Sequence, residues 1–320
     1  MPEPPTQQPA QQPAQQPAKL PIVAVVGATA AGKTRLSLDL AERLDGEIVN
    51  TDAMQVYRGM DIGTAKLPPE QRRGIPHHLL DLLDVTEPLT VAEFQRWARV
   101  AVAEIRARAR TPVLVGGSAL YTRAVLDRFE FPGTDADVRR VLESDLVTRG
   151  APALHRRLAE VDPEAAAQIL PDNGRRIVRA LEVVAITRRP FSATLPLHEY
   201  ADVRSVQIGV DIDRPTLDLR IGHRVQHMFD AGLVDEVRRL LEAGLAQGRT
   251  ARTAIGYRQV AAHLAGETTL AAAIEATTTA TRRFARRQDR WFRKDPRVAW
   301  VPWDAADQVD RAVTTLRPLG

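Results

Sequence analysis

Apolar residues fall along this chain in two alternating patterns. Short β-branched or apolar runs stand at Ile22–Val26, 47–50, 112–117 and 206–210, and longer amphipathic stretches separate them. Runs of this length suit strands buried on both faces, and the amphipathic stretches suit helices that cover those faces. Helices are predicted from Arg35 to Leu44, from Glu93 to Arg110, from about Pro215 to Ala243 and from Thr277 to Lys294, with a last strand near Val298–Val301. In the second of these, Phe94, Trp97, Ala101 and Ile105 share one face and are expected in the core. Strands alternating with helices predict an α/β fold with a parallel sheet flanked by helices. From 122 to 202 the strand signals fade and an arginine-rich helical pattern takes over. That segment is expected to be a helical insertion, leaving 20–121 and 203–320 as the core. Within it, Arg175, Arg176 and Arg179 lie at helical spacing, while Ile177, Ala180, Leu181 and Val184 face inward.

The first strand runs into Gly27-Ala28-Thr29-Ala30-Ala31-Gly32-Lys33-Thr34, which fits G-x-x-x-x-G-K-[ST] between a strand and a helix. Glycines let successive backbone N–H groups point into one hollow, and the helix that follows offers unpaired N–H groups and a positive dipole end. Lys33 adds a full charge toward phosphate oxygens, and the Thr34 hydroxyl can hold Mg²⁺. The fold is therefore expected to be of the phosphate-loop type. The loop specifies phosphate, either a nucleoside triphosphate or another diphosphate ester.

Other candidates sit at strand ends, where open α/β sheets gather their ligands. Asp52 ends the second strand and is expected beside the phosphate loop, as a base, a magnesium ligand or a helix cap. The polar, glycine-bearing stretch from Asp52 to Lys66 looks like a working loop, in which Asp61 is expected to be structural. Gly116 and Gly117 close the third strand and mark close approach by a ligand or by backbone. Ser118 beside them has no triad-like partners and reads as a contact residue. His77 and His78 lack a third ligand at metal spacing and are expected to be structural or to touch substrate. Arg220 and Arg224 share a helix face. Arg282, Arg286 and Arg290 form a basic row suited to a phosphate backbone.

Composition narrows the class. In 320 residues the chain carries 44% hydrophobic and 26% charged residues and no cysteine, which fits a globular protein and excludes disulfides and thiolate metal sites. No run of about 18 apolar residues exists to span a membrane, and the polar start is unlike a secretory signal. A cytoplasmic enzyme is expected. The net charge of +4 and a pI near 9.7 are compatible with nucleic-acid binding, although the arginine excess also fits a GC-biased coding sequence. Lysine is scarce, at four residues, which makes Lys33 stand out. Three copies of Gln-Gln-Pro-Ala at 7–18 place a disordered tail at 1–19.

The segments GATAAGKT at 27–34, TDAMQVYRGMDIGTAK at 51–66, IPHHLLD at 75–81, LVGGSALY at 114–121, DNGRRIVRALEV at 172–183, AIGYRQ at 254–259 and TRRFARRQDRWFR at 281–293 occur in one order. In these the chain resembles the bacterial-type tRNA dimethylallyltransferase family, from about Pro21 to past Arg293. The resemblance implies transfer of a dimethylallyl group from dimethylallyl diphosphate to N6 of adenosine 37 in the tRNA anticodon stem-loop, with Mg²⁺. One chain per tRNA, a monomer, is the simplest expectation. It implies that Gly27–Thr34 hold the diphosphate, that Asp52 is the general base, and that Arg220 and Thr34 support the leaving group. Asp52, Ala53, Met54, Gln55, Ser118, Arg139, Arg175, Arg176, Ile177, Val178 and Arg179 match positions that meet the tRNA. Ala28, Ala31 and Ser118-Ala119 depart from the family's common proline, serine and threonine-glycine. A small-molecule or nucleoside kinase is the alternative, with the loop holding ATP and Asp52 or Asp211 the metal.

Overall fold

Six parallel strands form the central sheet: β1 (Ile22–Val26), β2 (Gly46–Asn50), β3 (His77–His78), β4 (Thr111–Val115), β5 (Ser205–Asp211) and β6 (Val298–Pro302). Their order across the sheet is β3-β2-β4-β1-β5-β6, every neighbouring pair being parallel. This computed structural model describes residues 20–129, 131–192 and 198–316; the Gln-Gln-Pro-Ala repeats lie outside them. β1 lies between β4 and β5, which brings the ends of β2, β4 and β5 around the loop that leaves it. Among the described residues, no helix is long and apolar enough to cross a membrane.

The continuous apolar run of β1 follows from helices on both faces. Ile22, Ala24 and Val26 pack toward α2 (Val91–Ala107) and α3 (Ala119–Leu126) in one buried cluster. Val23 and Val25 pack toward α1 (Lys33–Arg43) in another, with Leu36, Leu40 and Ala41. Phe94 and Ile105 of α2 are fully buried, as their spacing predicts. Thr90 caps α2 in a reciprocal box with Glu93, satisfying two orphan donors of its first turn.

Among the described residues, four helices follow α3: α4 (Ala136–Arg149), α5 (Ala151–Val161), α6 (Pro163–Gln168) and α7 (Gly174–Thr187). They bury a cluster of their own, including Leu142, Leu154, Leu158, Ile177, Val178 and Leu181. The sequence pattern changes at 122, but packing changes later: α3 runs through that position and buries Val125 and Leu126 against the sheet cluster.

The single helix expected over 215–243 is two, α8 (Arg214–Asp230) and α9 (Leu233–Glu242). The break is Gly232, whose φ of +97° is left-handed backbone that a side chain resists. A Cβ there would meet nothing within 4 Å, so backbone strain alone decides the effect of substitution. Gly232→Ala is expected to lower stability by about 1–2 kcal/mol, read as a shift of the denaturation midpoint with unchanged slope. An unshifted midpoint would mean that the turn relaxes. Beyond α9 follow α10 (Tyr257–Leu264), α11 (Leu270–Arg293) and α12 (Gln308–Thr314); Ala312 of α12 joins the α1 side of the sheet.

Candidate active site

The phosphate loop follows from its glycines and its small residues. Gly27 and Gly32 have φ of +134° and +110°, and a Cβ on Gly27 would meet the Val210 carbonyl at 3.3 Å. Ala28 and Ala30 are buried against Leu217, Ile221 and Val225 of α8. Gln288 of α11 accepts from the Thr29 amide at 2.8 Å and donates to the Gly117 carbonyl at 2.8 Å. One side chain thereby ties the loop to the end of β4. The glycine pair at that end serves backbone approach: a Cβ on Gly116 would lie 2.2 Å from the Thr51 hydroxyl, and one on Gly117 would lie 2.2 Å from Gln288.

Three cations converge on the loop, and none pairs with a carboxylate among the described residues. Lys33 Nζ donates to the Ala28 carbonyl at 2.7 Å. Burial, and then the charge of Arg224, pull its pKa down to about 7, with Asp52 acting the other way. Arg224 Nη1 donates to the Thr29 hydroxyl at 3.3 Å, and burial with neighbouring Arg220 lowers its pKa. Arg220 lies over Trp303 with 4.7 Å to the ring centroid, and its guanidinium would be 3.9 Å from a Cβ on Gly32. Lys33 and Arg224 are desolvated beside Arg220, with only the charge of Asp52 opposing, and such a gathering of like charges calls for an anion.

Asp52 stands at the end of β2, its backbone clamped by Asn50. Asn50 Nδ2 donates to the Asp52 carbonyl, and Asn50 Oδ1 accepts from the Asp52 amide, both at 2.9 Å. The Asp52 carboxylate accepts from the Met54 amide at 2.9 Å. Burial raises its pKa above the ordinary carboxylate value, opposed by the hydrogen bond from Met54 and the charge of Lys33.

Two cavities meet at this carboxylate. The smaller, about 110 Å³, is lined by Lys33, Thr34, Ser37, Asn50, Gln55 and Gly116. The larger, about 420 Å³, is lined by Ala53, Met54, Ser118, Tyr121, Val225, Met228, Ile255 and Phe284, with Arg287 at its border. Thr29, Asp52, Arg224 and Phe284 border both. A polar, cationic chamber thus opens into a mostly apolar one, with a carboxylate at the seam.

The loop from 52 to 66 is held by buried charge. Glu236 accepts from the amides of Asp61, Ile62 and Gly63 at 2.8–3.2 Å and from the Tyr257 hydroxyl at 2.5 Å. Lys66 Nζ pairs with Asp61 at 2.6 Å and Asp81 at 2.5 Å. Asp61 is structural. His78 pairs with Glu47 at 2.6 Å and His77 faces the Ile75 carbonyl at 2.8 Å; among the described residues, no group of three or more His, Cys, Asp or Glu could hold a metal.

The residues expected at a tRNA surface divide. Asp52, Ala53, Met54 and Ser118 line the larger cavity, and Gln55 the smaller. Arg139, Arg175, Arg176, Ile177, Val178 and Arg179 border neither. Ile177 and Val178 are 0% and 3% exposed within the α4–α7 cluster, so their side chains are packing groups and the expectation of contact is corrected there. Arg139 and Arg179 both pair with Glu182, itself fully buried, and Arg179 also donates to the Pro132 and Gly133 carbonyls. Arg175 and Arg176 at the start of α7 are exposed. Sequence reasoning missed Gln288, Asn50, Tyr121 and Phe284, and noted Arg224 only for its spacing from Arg220.

Residues 55–295 match the family model described as IPP transferase. The chain belongs to the IPP transferase family. It is 72% identical to a tRNA dimethylallyltransferase of Nocardioides sp., over 92% of this chain and 95% of that one. It is 61% identical to a tRNA dimethylallyltransferase of Streptomyces avermitilis, over 89% and 91%. Among solved structures, the full-length tRNA isopentenylpyrophosphate transferase of Bacillus halodurans superposes with a TM-score of 0.68 at 40% identity, covering 94% and 96% of the two chains. A eukaryotic dimethylallyltransferase acting on tRNA superposes with a TM-score of 0.77 at 25% identity, covering 93% and 77%. The family match begins after Asp52, and the matches to the relatives span most of the rest.

Proposed function

We propose that this enzyme transfers the dimethylallyl group of dimethylallyl diphosphate to N6 of adenosine 37 in the anticodon stem-loop of tRNA. One observation carries the site assignment: the half-buried carboxylate of Asp52 stands where a cationic phosphate chamber meets a mostly apolar one. The diphosphate lies on the Gly27–Thr34 amides, Lys33, Arg220 and Arg224, and the hydrocarbon enters the larger chamber. The bond from C1 to the diphosphate oxygen breaks, and its electron pair leaves with the diphosphate. The N6 lone pair forms the new bond to C1, and Asp52 takes the N6 proton. Charge grows on the leaving oxygens as the bond breaks, so the loop's donors bind the transition state more tightly than the ground state. Asp52 offers a carboxylate made more basic by burial. Adenine must leave its stack to reach it, with Ser118 and Tyr121 on the entry wall.

The donors also fit Mg²⁺, which takes few protein ligands and draws its other oxygens from phosphate and water. The Thr34 hydroxyl would hold it in the smaller chamber, where it would neutralise charge on the departing diphosphate. A kinase wants a second polar chamber for its acceptor, where this fold offers an apolar one. We place the enzyme in the cytoplasm, acting as a monomer.

The test is direct. Purified protein, Mg²⁺, radiolabelled dimethylallyl diphosphate and an anticodon stem-loop bearing adenosines at 36, 37 and 38 should give labelled RNA. Replacing adenosine 37 should abolish the label. Consumption of ATP with a small acceptor and no labelled RNA would return the kinase.

The basic start of α7 is assigned to the RNA backbone. Arg175→Ala with Arg176→Ala should weaken stem-loop binding and flatten the plot of log affinity against log salt by roughly 1.4–1.8, two phosphate contacts' worth. Stability should be unchanged, since both arginines are exposed at the start of α7. An unchanged salt slope would remove these residues from the interface.

A further inference from the structure

We propose that Met228 sets the length of the prenyl chain this enzyme transfers. The proposal rests on the transferase reading above. The argument is one of register along α8. Arg220, Arg224 and Met228 are four residues apart and share one helix face. Arg220 stands beside Gly32 of the phosphate loop. Arg224 bonds to Thr29 and borders both chambers, whereas Val225 and Met228 border only the larger. Passing along the helix therefore leads from phosphate to hydrocarbon. The step from Arg224 to Met228 is about 6 Å, on the order of the reach of one isoprene unit beyond C1.

Met228 has firm backing. It packs against the buried cluster that includes Leu233 and Val237, which backs this wall against a longer chain. The neighbouring helix α11 lines the same chamber through Thr277, Thr281 and Phe284, at helical spacing. Arg282 of α11 donates to the Asp218 carbonyl at 3.2 Å, which fixes the two helices against each other. An isoprenoid tail offers no hydrogen bond, so selection among tails depends on shape. A wall acting on single methylenes separates substrates by about 10–200-fold.

The experiment compares kcat/KM for dimethylallyl and geranyl diphosphates in the wild-type enzyme, Met228→Ala and Met228→Phe, with the stem-loop as acceptor. Inhibition by inorganic diphosphate is read in parallel. Wild type should prefer the five-carbon donor. Met228→Ala should raise the ratio of ten-carbon to five-carbon transfer at least about tenfold. Met228→Phe should raise KM for dimethylallyl diphosphate while inhibition by inorganic diphosphate stays within twofold or so of wild type. A ratio unmoved in Met228→Ala, with five-carbon transfer retained, overturns the proposal. So does a joint loss of transfer and inorganic diphosphate inhibition in Met228→Phe, because the side chain would then act beyond the hydrocarbon chamber. Absence of any transfer by wild type would instead overturn the transferase reading itself.

Discussion

Asp52→Asn is expected to lower kcat by about 10²–10⁴-fold, the usual worth of a positioned general base, with stem-loop affinity within a few fold of wild type. Asparagine keeps the shape of the side chain and an acceptor for the Met54 amide, so the turn after β2 should survive. What it removes is the capacity to accept the N6 proton. The pH profile provides the decisive readout. Burial holds the Asp52 pKa above the ordinary carboxylate value, and the base must be deprotonated to act. Wild-type kcat should therefore rise with pH on its acid side, through a pKa higher than a solvated aspartate's, and Asp52→Asn should lose that limb. The substitution also takes a favourable charge from Lys33, so the comparison belongs below pH 7, where the lysine stays protonated. Loss of binding with turnover per bound complex preserved would sink the general-base role.

The sequence disclosed those parts of the site that depend on neighbours along the chain. The phosphate loop is contiguous, its strand and helix adjoin it, and Asp52 could be placed because ligands gather at strand ends in open α/β sheets. Gln288 could not be placed this way. It lies 259 residues from the Thr29 amide it binds, and nothing local separates it from any glutamine on a basic helix. Arg224 was visible only as a partner in spacing, because its desolvation depends on how α8 lies on the loop. The break at Gly232 was hidden for another reason: an isolated glycine in an amphipathic run can be tolerated inside a helix or can end one. Ile177 and Val178 show two sequence signals in conflict. Motif similarity takes the whole stretch 175–179 as contact, whereas the helical period turns Ile177 inward, and burial follows the period. The buried Glu182 explains two of the arginines nearby. A carboxylate without solvent needs partners, and Arg139 and Arg179 supply them.

Lys33→Met should reduce kcat/KM for dimethylallyl diphosphate by about 10²–10³-fold, the cost of removing one preorganised charge contact, and yet raise the stability of the ligand-free protein. Both effects have one cause. The ammonium is held in a site prepared for an anion, desolvated and facing Arg224, and its pKa falls from 10.5 to about 7. Between those two values the unfolded chain binds more protons than the folded one, so wild-type stability rises with pH across that window. Below pH 7 the full penalty is present; above 10.5 it is gone. Methionine fills similar space without the charge, so the variant should be more stable by roughly 1–3 kcal/mol near pH 6, after allowance for water entering the chamber. The difference should shrink as pH rises. Inorganic diphosphate should reverse the order, because a bound anion raises the lysine pKa and only the wild type gains from it. Wild-type diphosphate affinity should accordingly fall as pH climbs above 7, by up to about tenfold per unit. Thermal denaturation of both proteins between pH 6 and 9, with and without inorganic diphosphate, reads all of this at once. Equal stability and equal pH slopes without ligand would show that the lysine charge is already compensated in the empty chamber. The cationic loop would then owe its affinity to its amides and arginines.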